Sequence, residues 1–301
     1  KRVRAMAIKV IMVAVSAVSG GEQAMRTALG LATRFGSHVE VLHVRSDSRA
    51  AMPYMGEGMS GAAIQEIMEV SEQDEAAHSA QLRALFDSLC GEQKITLGDS
   101  PGDGGLDVPT AAWREKVGQD DDIVAACGRL ADLVVVARPD GAEGKTAHLI
   151  IEAALFESGR PVLIVPPSPP PGTGERVAVA WNGSLEASRA AAAAMPVLRG
   201  AGEVIVLRAQ EKTGDEDRKS ALGEADDLVR YLAWNGIAAE ARCLDAAGKS
   251  EGGVMLAEVA AWKADLLVMG GYTHSRFRQM LFGGVTRHIL TDADVPVLMA
   301  H

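Results

Sequence analysis

The chain repeats its own pattern of strands, and this duplication limits how it can fold more than any other feature. Segment 131–137 (ADLVVVA) matches segment 264–270 (ADLLVMG), and segment 39–44 (VEVLHV) matches segment 204–209 (VIVLRA). The matching strands come in the same order in each half. We therefore expect two domains that share one architecture.

Helical patterns lie between these strands and indicate the fold class. They cover 22–35, 64–89, 123–130, 185–198, 220–234, 254–262 and a helix start at 285–290. Strands that alternate with helices indicate parallel βαβ units, and strands with few polar residues indicate a sheet covered on both faces. The sequence thus predicts an α/β fold of two tandem doubly wound, Rossmann-like domains.

A proline-rich stretch at 166–174 (PPSPPPGTG) separates the two halves. Successive prolines favour a stiff, extended chain, and the glycines that follow make it flexible. We predict a first domain over 6–167, a linker over 168–175 and a second domain over 176–301.

Charge and composition exclude several classes of partner. The net charge of −10 argues against nucleic acid, since phosphate backbones require basic surfaces. The longest apolar runs are too short to span a bilayer, and no secretory leader pattern is present. The three cysteines are far apart and odd in number, which favours neither a disulfide framework nor a zinc site. We expect a cytoplasmic protein without a membrane partner.

Glycines surround the turn after the last repeated strand of the second half. Gly270 ends that strand, and Gly283 and Gly284 precede the helix start. Doubly wound sheets bind ligands at the carboxyl ends of their strands, and a helix N-terminus there attracts an anion. Tight turns alone also require glycine. The pattern is neither G-x-G-x-x-G nor the Walker motif, so both readings stay open.

The order of the elements and the end of the chain resemble the universal stress protein family in its tandem two-domain form. Its nucleotide-binding members carry G-x2-G-x9-G-[ST] after the fourth strand, which falls here on Gly270, Thr273, Gly283 and Gly284. The resemblance implies adenine nucleotide alpha hydrolase-like domains with five-stranded parallel sheets. It also implies that the second domain binds ATP, or ADP or AMP, with Mg²⁺ as an accompanying ion.

The resemblance also indicates which residues hold the nucleotide. They are Ala180, Trp181, Asn182, Ala209, Met269, Gly270, Tyr272, Thr273, His274, Arg276, Gly283, Gly284, Val285 and Thr286.

Three of these residues depart from the family pattern. Thr273 replaces a glycine, and a β-branched residue at positive φ costs about 1–3 kcal/mol. Gly284 replaces a hydroxyl residue but keeps its backbone N–H. Asn182 stands where binders have an acidic residue; it can contact the nucleoside, or it can form an Asx-turn or an N-cap. His274 and Arg276 can each reach a phosphate or lie in a solvated loop.

The first half lacks the glycines of the second half. Ala137 and Asp140 replace the first two, and Asp140 and Glu143 add negative charge that repels phosphate. We expect no ATP in the first domain, which would pair with, support or regulate the second. Because the first half keeps its strands without these glycines, we also expect that strand-end turns do not require them.

Three functions remain in competition. The first is a stress-response regulator or sensor that binds an adenine nucleotide, the second a slow ATPase, and the third a scaffold that does not bind nucleotide. No catalytic dyad or DxD pair is found near the second-half glycines, so binding is preferred over hydrolysis. The closing strands 161–165 (PVLIV) and 296–299 (PVLM) are expected to pair and make the chain a pseudo-dimer; a homodimer of chains is left open.

Overall fold

The computed structural model describes residues 8–16, 18–45, 61–100, 107–139, 144–210, 215–271 and 284–301. The chain divides into two units, which we call the N-unit (9–158) and the C-unit (159–301, with Ile8). In each unit, helices alternate with strands that are parallel or mostly parallel, so the predicted α/β fold is confirmed. The domain boundaries at 167 and 176 stay a prediction, since the division by contact falls at another place.

The N-unit has a parallel sheet in the order β3-β4-β2-β1-β5. Its strands are β1 Val10–Val15, β2 His38–Arg45, β3 Thr96–Leu97, β4 Thr110–Val117 and β5 Leu133–Ala137. Its helices are α1 Val18–Phe35, α2 Gly61–Gln93, α3 Asp120–Gly128 and α4 Gly144–Glu157.

The C-unit has the order β6-β11-β10-β7-β8-β9, in which only the β6–β11 pair is antiparallel. Its strands are β6 Val162–Val165, β7 Arg176–Ala180, β8 Glu203–Gln210, β9 Glu240–Asp245, β10 Leu266–Gly270 and β11 Val297–Ala300. Its helices are α5 Leu185–Leu198, α6 Asp215–Trp234, α7 Glu251–Ala261 and α8 Gly284–Asp292. The described strands thus number five in one unit and six in the other, and the expected five-stranded sheet in each domain stays a prediction.

The aspartate of the repeated Ala-Asp-Leu segment fixes the start of β1 in the N-unit and of β7 in the C-unit. Asp132 Oδ2 accepts hydrogen bonds from the backbone N–H groups of Lys9 and Val10 at 2.8 and 3.0 Å. Asp265 accepts three from the backbone of 174–176, at 2.7, 3.0 and 3.1 Å. The duplicated sequence therefore encodes a duplicated tie, between β1 and β5 in the N-unit and between β7 and β10 in the C-unit, at the amino ends of these strands.

The closing strands predicted to pair are in contact within the C-unit. Val297, Leu298 and Met299 of β11 pair with Ile164, Leu163 and Val162 of β6. All residues of both strands are buried, so neither exposes an apolar edge. The pseudo-twofold arrangement of the two repeats stays a prediction.

No described helix is long and apolar enough to span a membrane. The cytoplasmic location stays a prediction.

Candidate functional site

The strand order of the C-unit creates a crevice at the carboxyl end of β7. This strand lies between β8 and β10. The next strand in the chain, β8, is therefore added on one side of β7, and the later strand β10 is added on the other side. In open α/β sheets such a reversal separates the neighbouring loops and leaves room for a ligand. The crevice is therefore the expected place for a site.

A cavity of about 180 Å³ lies at this point. The ends of β7, β8 and β10 and the first turns of α7 and α8 surround it. Its lining consists of Ala180, Trp181, Asn182, Arg208, Ala209, Glu251, Met255, Met269, Gly270, Val285 and Thr286.

Eight residues that the sequence predicts at the nucleotide line this one cavity. They are Ala180, Trp181, Asn182, Ala209, Met269, Gly270, Val285 and Thr286. Gly284 is the first residue of α8, next to them in the chain. The other predicted residues lie outside the described part of the chain; they are Tyr272, Thr273, His274, Arg276 and Gly283. Contact of any of these residues with a ligand stays a prediction.

Asn182 forms the Asx-turn that was one of its three possible roles. Its Oδ1 accepts a hydrogen bond from Ser184 N at 3.1 Å, and Gly183 takes φ +73° to make the turn. The N-cap of α5 is Ser184, whose Oγ accepts from Ala187 N at 3.1 Å. The turn uses the Oδ1 atom of Asn182, and the Asn182 residue stays exposed at the cavity wall.

Gly270 is required by packing. A Cβ at this position would overlap Ala187 N and lie 2.6 Å from the carbonyl carbon of Glu186, in the first turn of α5. Backbone atoms cannot move aside as a flexible side chain can, so only glycine lets β10 and α5 approach this closely.

The expectation that strand ends do not require glycine is wrong for Gly270. In the N-unit the corresponding strand end is Ala137, and its Cβ would lie 2.8 Å from a Cβ placed at Gly20 of α1. At this helix–strand contact the C-unit therefore has its glycine on the strand, and the N-unit has its glycine on the helix. The sequence comparison missed this because the compensating residue lies on another element.

Gly284 has a different environment from Gly270. A Cβ at Gly284 would meet no described atom within 4 Å. Packing of the described residues therefore does not require glycine at the start of α8. The N–H groups in the first turn of α8 have no partner within the helix, and together with the positive end of the helix dipole they attract an anion. Because Gly284 has no side chain, it leaves space for that anion.

The sequence did not predict three lining residues, Arg208, Glu251 and Met255. Arg208 could have been found as the only charged residue in the apolar run 204–209 (VIVLRA). Glu251 follows the N-cap Ser250, whose Oγ accepts from Gly253 N at 3.0 Å. A serine followed by an acidic residue after a strand signals a helix start at the sheet edge.

In the N-unit, imidazoles cover the end of the first strand. His43 Nδ1 donates to Val15 O at 3.1 Å, and His78 Nε2 donates to Ser16 O at 3.0 Å. The His43 ring is buried, 5.8 Å from the His78 ring and 5.9 Å from that of Trp113. The unit therefore uses its own side chains to satisfy carbonyl groups at the place where the C-unit has a cavity.

Two carboxylates beside these rings have shifted pKa values. A hydrogen bond from the Ser79 hydroxyl, with a further one from Trp113 Nε1, lowers the pKa of Glu115. Burial raises the pKa of Asp120 at the start of α3. The described residues of the chain include no group of three His, Cys, Asp or Glu side chains that could hold a metal ion.

Comparisons with known proteins agree with this architecture. The model of the universal stress protein family matches residues 7–166 and 174–301. The comparison with curated proteins gives no match.

Solved structures of similar fold cover nearly the whole chain. A universal stress protein from Archaeoglobus fulgidus DSM 4304 is 14% identical, with 97% of both chains covered and a TM-score of 0.64. A putative universal stress protein from Pseudomonas aeruginosa UCBPP-PA14 is 17% identical over 97% of this chain and 92% of its own, with a TM-score of 0.55. A universal stress protein in complex with cAMP covers a smaller part, 42% of this chain and 97% of its own, at 23% identity and with a TM-score of 0.34.

Proposed function

The chain belongs to the universal stress protein family, and on this premise we propose that its C-unit binds an adenine nucleotide. In this proposal the chain is a stress-response regulator or sensor whose state depends on that ligand. ATP is the expected nucleotide, with ADP and AMP as weaker alternatives.

One observation supports the proposal: eight residues predicted from the family resemblance, of which Gly270 belongs to the glycine motif, line a single cavity at the switch point of the C-unit sheet. They come from β7, β8, β10 and α8, which are far apart in the sequence. Turns that served only the chain reversal would not need to bring these side chains around a shared space. Ligand pockets occur preferentially at such switch points.

The size of the cavity indicates which part of the ligand it takes. At about 180 Å³ it is smaller than the roughly 300–1,000 Å³ of sites for drug-sized ligands. It therefore suits the base and part of the ribose. Ala180, Met255 and Met269 provide apolar surface for the base.

The phosphates would leave this cavity toward the first turn of α8. The backbone N–H groups at Gly284, Val285 and Thr286 have no partners within the helix, as in any first turn. They can donate to phosphate oxygens without a side-chain hydroxyl at position 284. Mg²⁺, which phosphates commonly bind, would neutralise part of their charge, and it stays an expectation.

The experiment replaces the open glycine of α8 with an acid. Gly284→Asp puts a carboxylate at the proposed phosphate position, and we expect ATP affinity to fall by about a hundredfold or more from charge repulsion and blocked approach. Gly91→Asp is the matched control, because Gly91 lies on α2 and also has open space around it. Isothermal titration calorimetry with ATP measures both variants.

The outcomes separate the three competing functions. Loss of binding in Gly284→Asp alone supports the proposed site, and equal affinity in both variants and the original protein would refute it. Absence of binding of ATP, ADP and AMP to the original protein supports the scaffold. Steady release of phosphate from ATP supports the slow ATPase.

A further inference from the structure

The first turns of α2 have no counterpart in α6, the helix that takes its place in the second repeat. α2 has 33 residues and α6 has 20. The two helices end in the same way. After α2, Ile95 N donates to Cys90 O at 2.9 Å, and after α6, Ile237 N donates to Leu232 O at 3.0 Å. α2 is therefore longer at its start, by about three and a half turns. Because α6 lacks these turns, the fold of the repeat does not depend on them.

A groove of about 710 Å³ runs along α2 and includes these additional turns. We call it the α2 groove. Its first part is lined by Ala63, Ile67 and Val70, whose spacing places them on one face of the helix. Ile67 and Val70 are 40% and 53% exposed, so this face presents apolar surface. The volume lies within the roughly 300–1,000 Å³ of sites for small ligands.

The other end of the α2 groove is acidic. Asp74 and Glu75 line it together with His78, and Glu66 lies among the apolar residues of the first part. In the described part of the chain, the lining contains no lysine or arginine. The groove therefore attracts a positive charge, and it repels phosphate and carboxylate groups.

Asp120, at the start of α3, adds to this negative charge. Burial raises the pKa of Asp120; the nearby His43 lowers it, and the charges of Asp121 and Glu75 raise it. Glu75 and Asp120 are therefore close enough to repel each other, and a cation bound at Glu75 would offset that repulsion.

A buried imidazole beside His78 has an unused acceptor. His43 is 2% exposed, and its ring lies 5.8 Å from that of His78. Because Nδ1 of His43 donates to Val15 O, Nε2 is an acceptor, and it has no hydrogen-bond partner among the described residues. A buried acceptor without a donor costs free energy. A ligand with N–H groups at the acidic end of the groove would satisfy it, directly or through a water molecule.

We propose that the α2 groove binds an organic ammonium ion that carries an apolar body. The apolar body lies against Ile67 and Val70, and the charged nitrogen lies beside Asp74 and Glu75. Val70 and Asp74 are about 6 Å apart along the helix axis, which suits a ligand whose nitrogen closely follows its apolar part. This site is independent of the proposed nucleotide site, because it lies in the N-unit and takes a ligand of opposite charge.

Two larger occupants have to be compared with this small ligand. A second copy of the chain would bring two acidic faces of α2 together, and their like charges repel. A basic amphipathic helix has the complementary charge and could dock along the same face. The experiment below therefore includes such a peptide.

Calorimetric titration of the full chain with three compounds that share one apolar body tests the proposal. They are 4-phenylbutylammonium, 4-phenylbutanol and 4-phenylbutanoate, which differ in the charge of their polar end. We expect the ammonium to bind about tenfold or more tightly than the alcohol, as for one charged hydrogen bond. The carboxylate should show no saturable binding, because the acidic end of the groove repels it.

A double variant tests the acidic end of the groove. Asp74→Asn/Glu75→Gln should weaken binding of the ammonium by about tenfold and leave binding of the alcohol unchanged. Glu69→Gln/Asp87→Asn is the matched control, because it removes two charges from the same helix outside the lining. There Glu69 accepts from Gln65, and Asp87 pairs with Arg83. The control should keep the preference for the ammonium.

A single variant tests the apolar part. Val70→Asn should weaken binding of the ammonium and of the alcohol alike, by about threefold or more, because both bury the same apolar surface. Val70 is exposed, so this change should not unfold the chain. Circular dichroism confirms that each variant is folded.

Several outcomes would overturn the proposal. One is equal affinity of the original protein for the ammonium and the alcohol, and another is an ammonium preference that persists in Asp74→Asn/Glu75→Gln. An equal loss in both double variants also overturns it, because the effect would then come from net charge alone. If an amphipathic peptide of leucine and lysine saturates the groove and the small ammonium does not, the occupant is a protein partner, and the small-ligand site is refuted. None of these results affects the nucleotide site of the C-unit, which Gly284→Asp tests separately.

Discussion

The carboxyl ends of the central strands differ between the two units. In the N-unit, His43 and His78 donate to the carbonyl groups of Val15 and Ser16. In the C-unit, the end of β7 opens onto a cavity lined by Trp181 and Arg208. One duplicated scaffold thus supports two strand ends, one covered by its own side chains and one available to a ligand.

The two units also show that a glycine at a strand end can be explained by packing. Gly270 on β10 and Gly20 on α1 serve the same helix–strand approach from opposite sides. Replacement of glycine by Ala137 in the N-unit therefore reflects packing. Gly284 is the more informative glycine, because no described atom would contact a Cβ there.

The largest effect that we predict for this comparison follows from Gly270→Ala. The new methyl group would overlap backbone atoms of α5, which can yield only by moving the helix, so we expect the free energy of unfolding to fall by about 3 kcal/mol or more. Gly223→Ala on α6 is the control, since its Cβ would meet no described atom and alanine favours the helix by roughly 0.5–1 kcal/mol. Urea unfolding followed by circular dichroism measures both; an unchanged transition in Gly270→Ala would contradict the packing account.

A smaller effect is predicted for Gly20→Ala in the N-unit. Here the new Cβ meets the methyl group of Ala137, and overpacking of this kind costs about 1–3 kcal/mol. The second substitution Ala137→Gly should restore most of the loss, because it moves the glycine back to the strand as in the C-unit. Failure of the double variant to recover in the same unfolding assay would show that the two contacts are not equivalent.

The smallest effect concerns pH and the half-buried Asp120. Burial raises the pKa of this carboxyl in the folded state above its value of 3.8 when unfolded. The folded protein therefore holds the proton more tightly, so Asp120 favours folding at low pH and loses that contribution as pH rises through the folded pKa. Asp120→Asn should raise the melting temperature of the N-unit near pH 7, and its advantage should shrink below pH 4. A constant difference across this range would contradict the assignment.

The sequence revealed the fold through its repetition. The strands were found because Val-rich segments recur in order, and the repeated aspartates Asp132 and Asp265 proved to tie β1 to β5 and β7 to β10. Helix α4 includes the apolar stretch 150–156 but begins earlier, at Gly144, in a glycine-containing stretch that has few start signals. A strong apolar period in the local sequence is sufficient to predict that a helix or strand is present, but it predicts the ends of that element less well.

The site was less accessible to sequence reasoning, because its residues meet only after folding. Glu251 and Met255 come from a helix that follows β9, and no local pattern places that helix beside the end of β7. The partnership of Gly20 with Ala137 likewise depends on a contact between separate elements. The sequence left three roles open for Asn182. In the structure its Oδ1 accepts a hydrogen bond from the backbone N–H of Ser184, which forms the Asx-turn.

The difference between the two strand ends is the central claim, and native mass spectrometry of the full chain with ATP tests it most directly. The account predicts a single bound adenine nucleotide per chain, and none in Gly284→Asp, because in the described part of the chain the cavity at the end of β7 lies next to the start of α8. Two nucleotides per chain, or one that persists in Gly284→Asp, would contradict it.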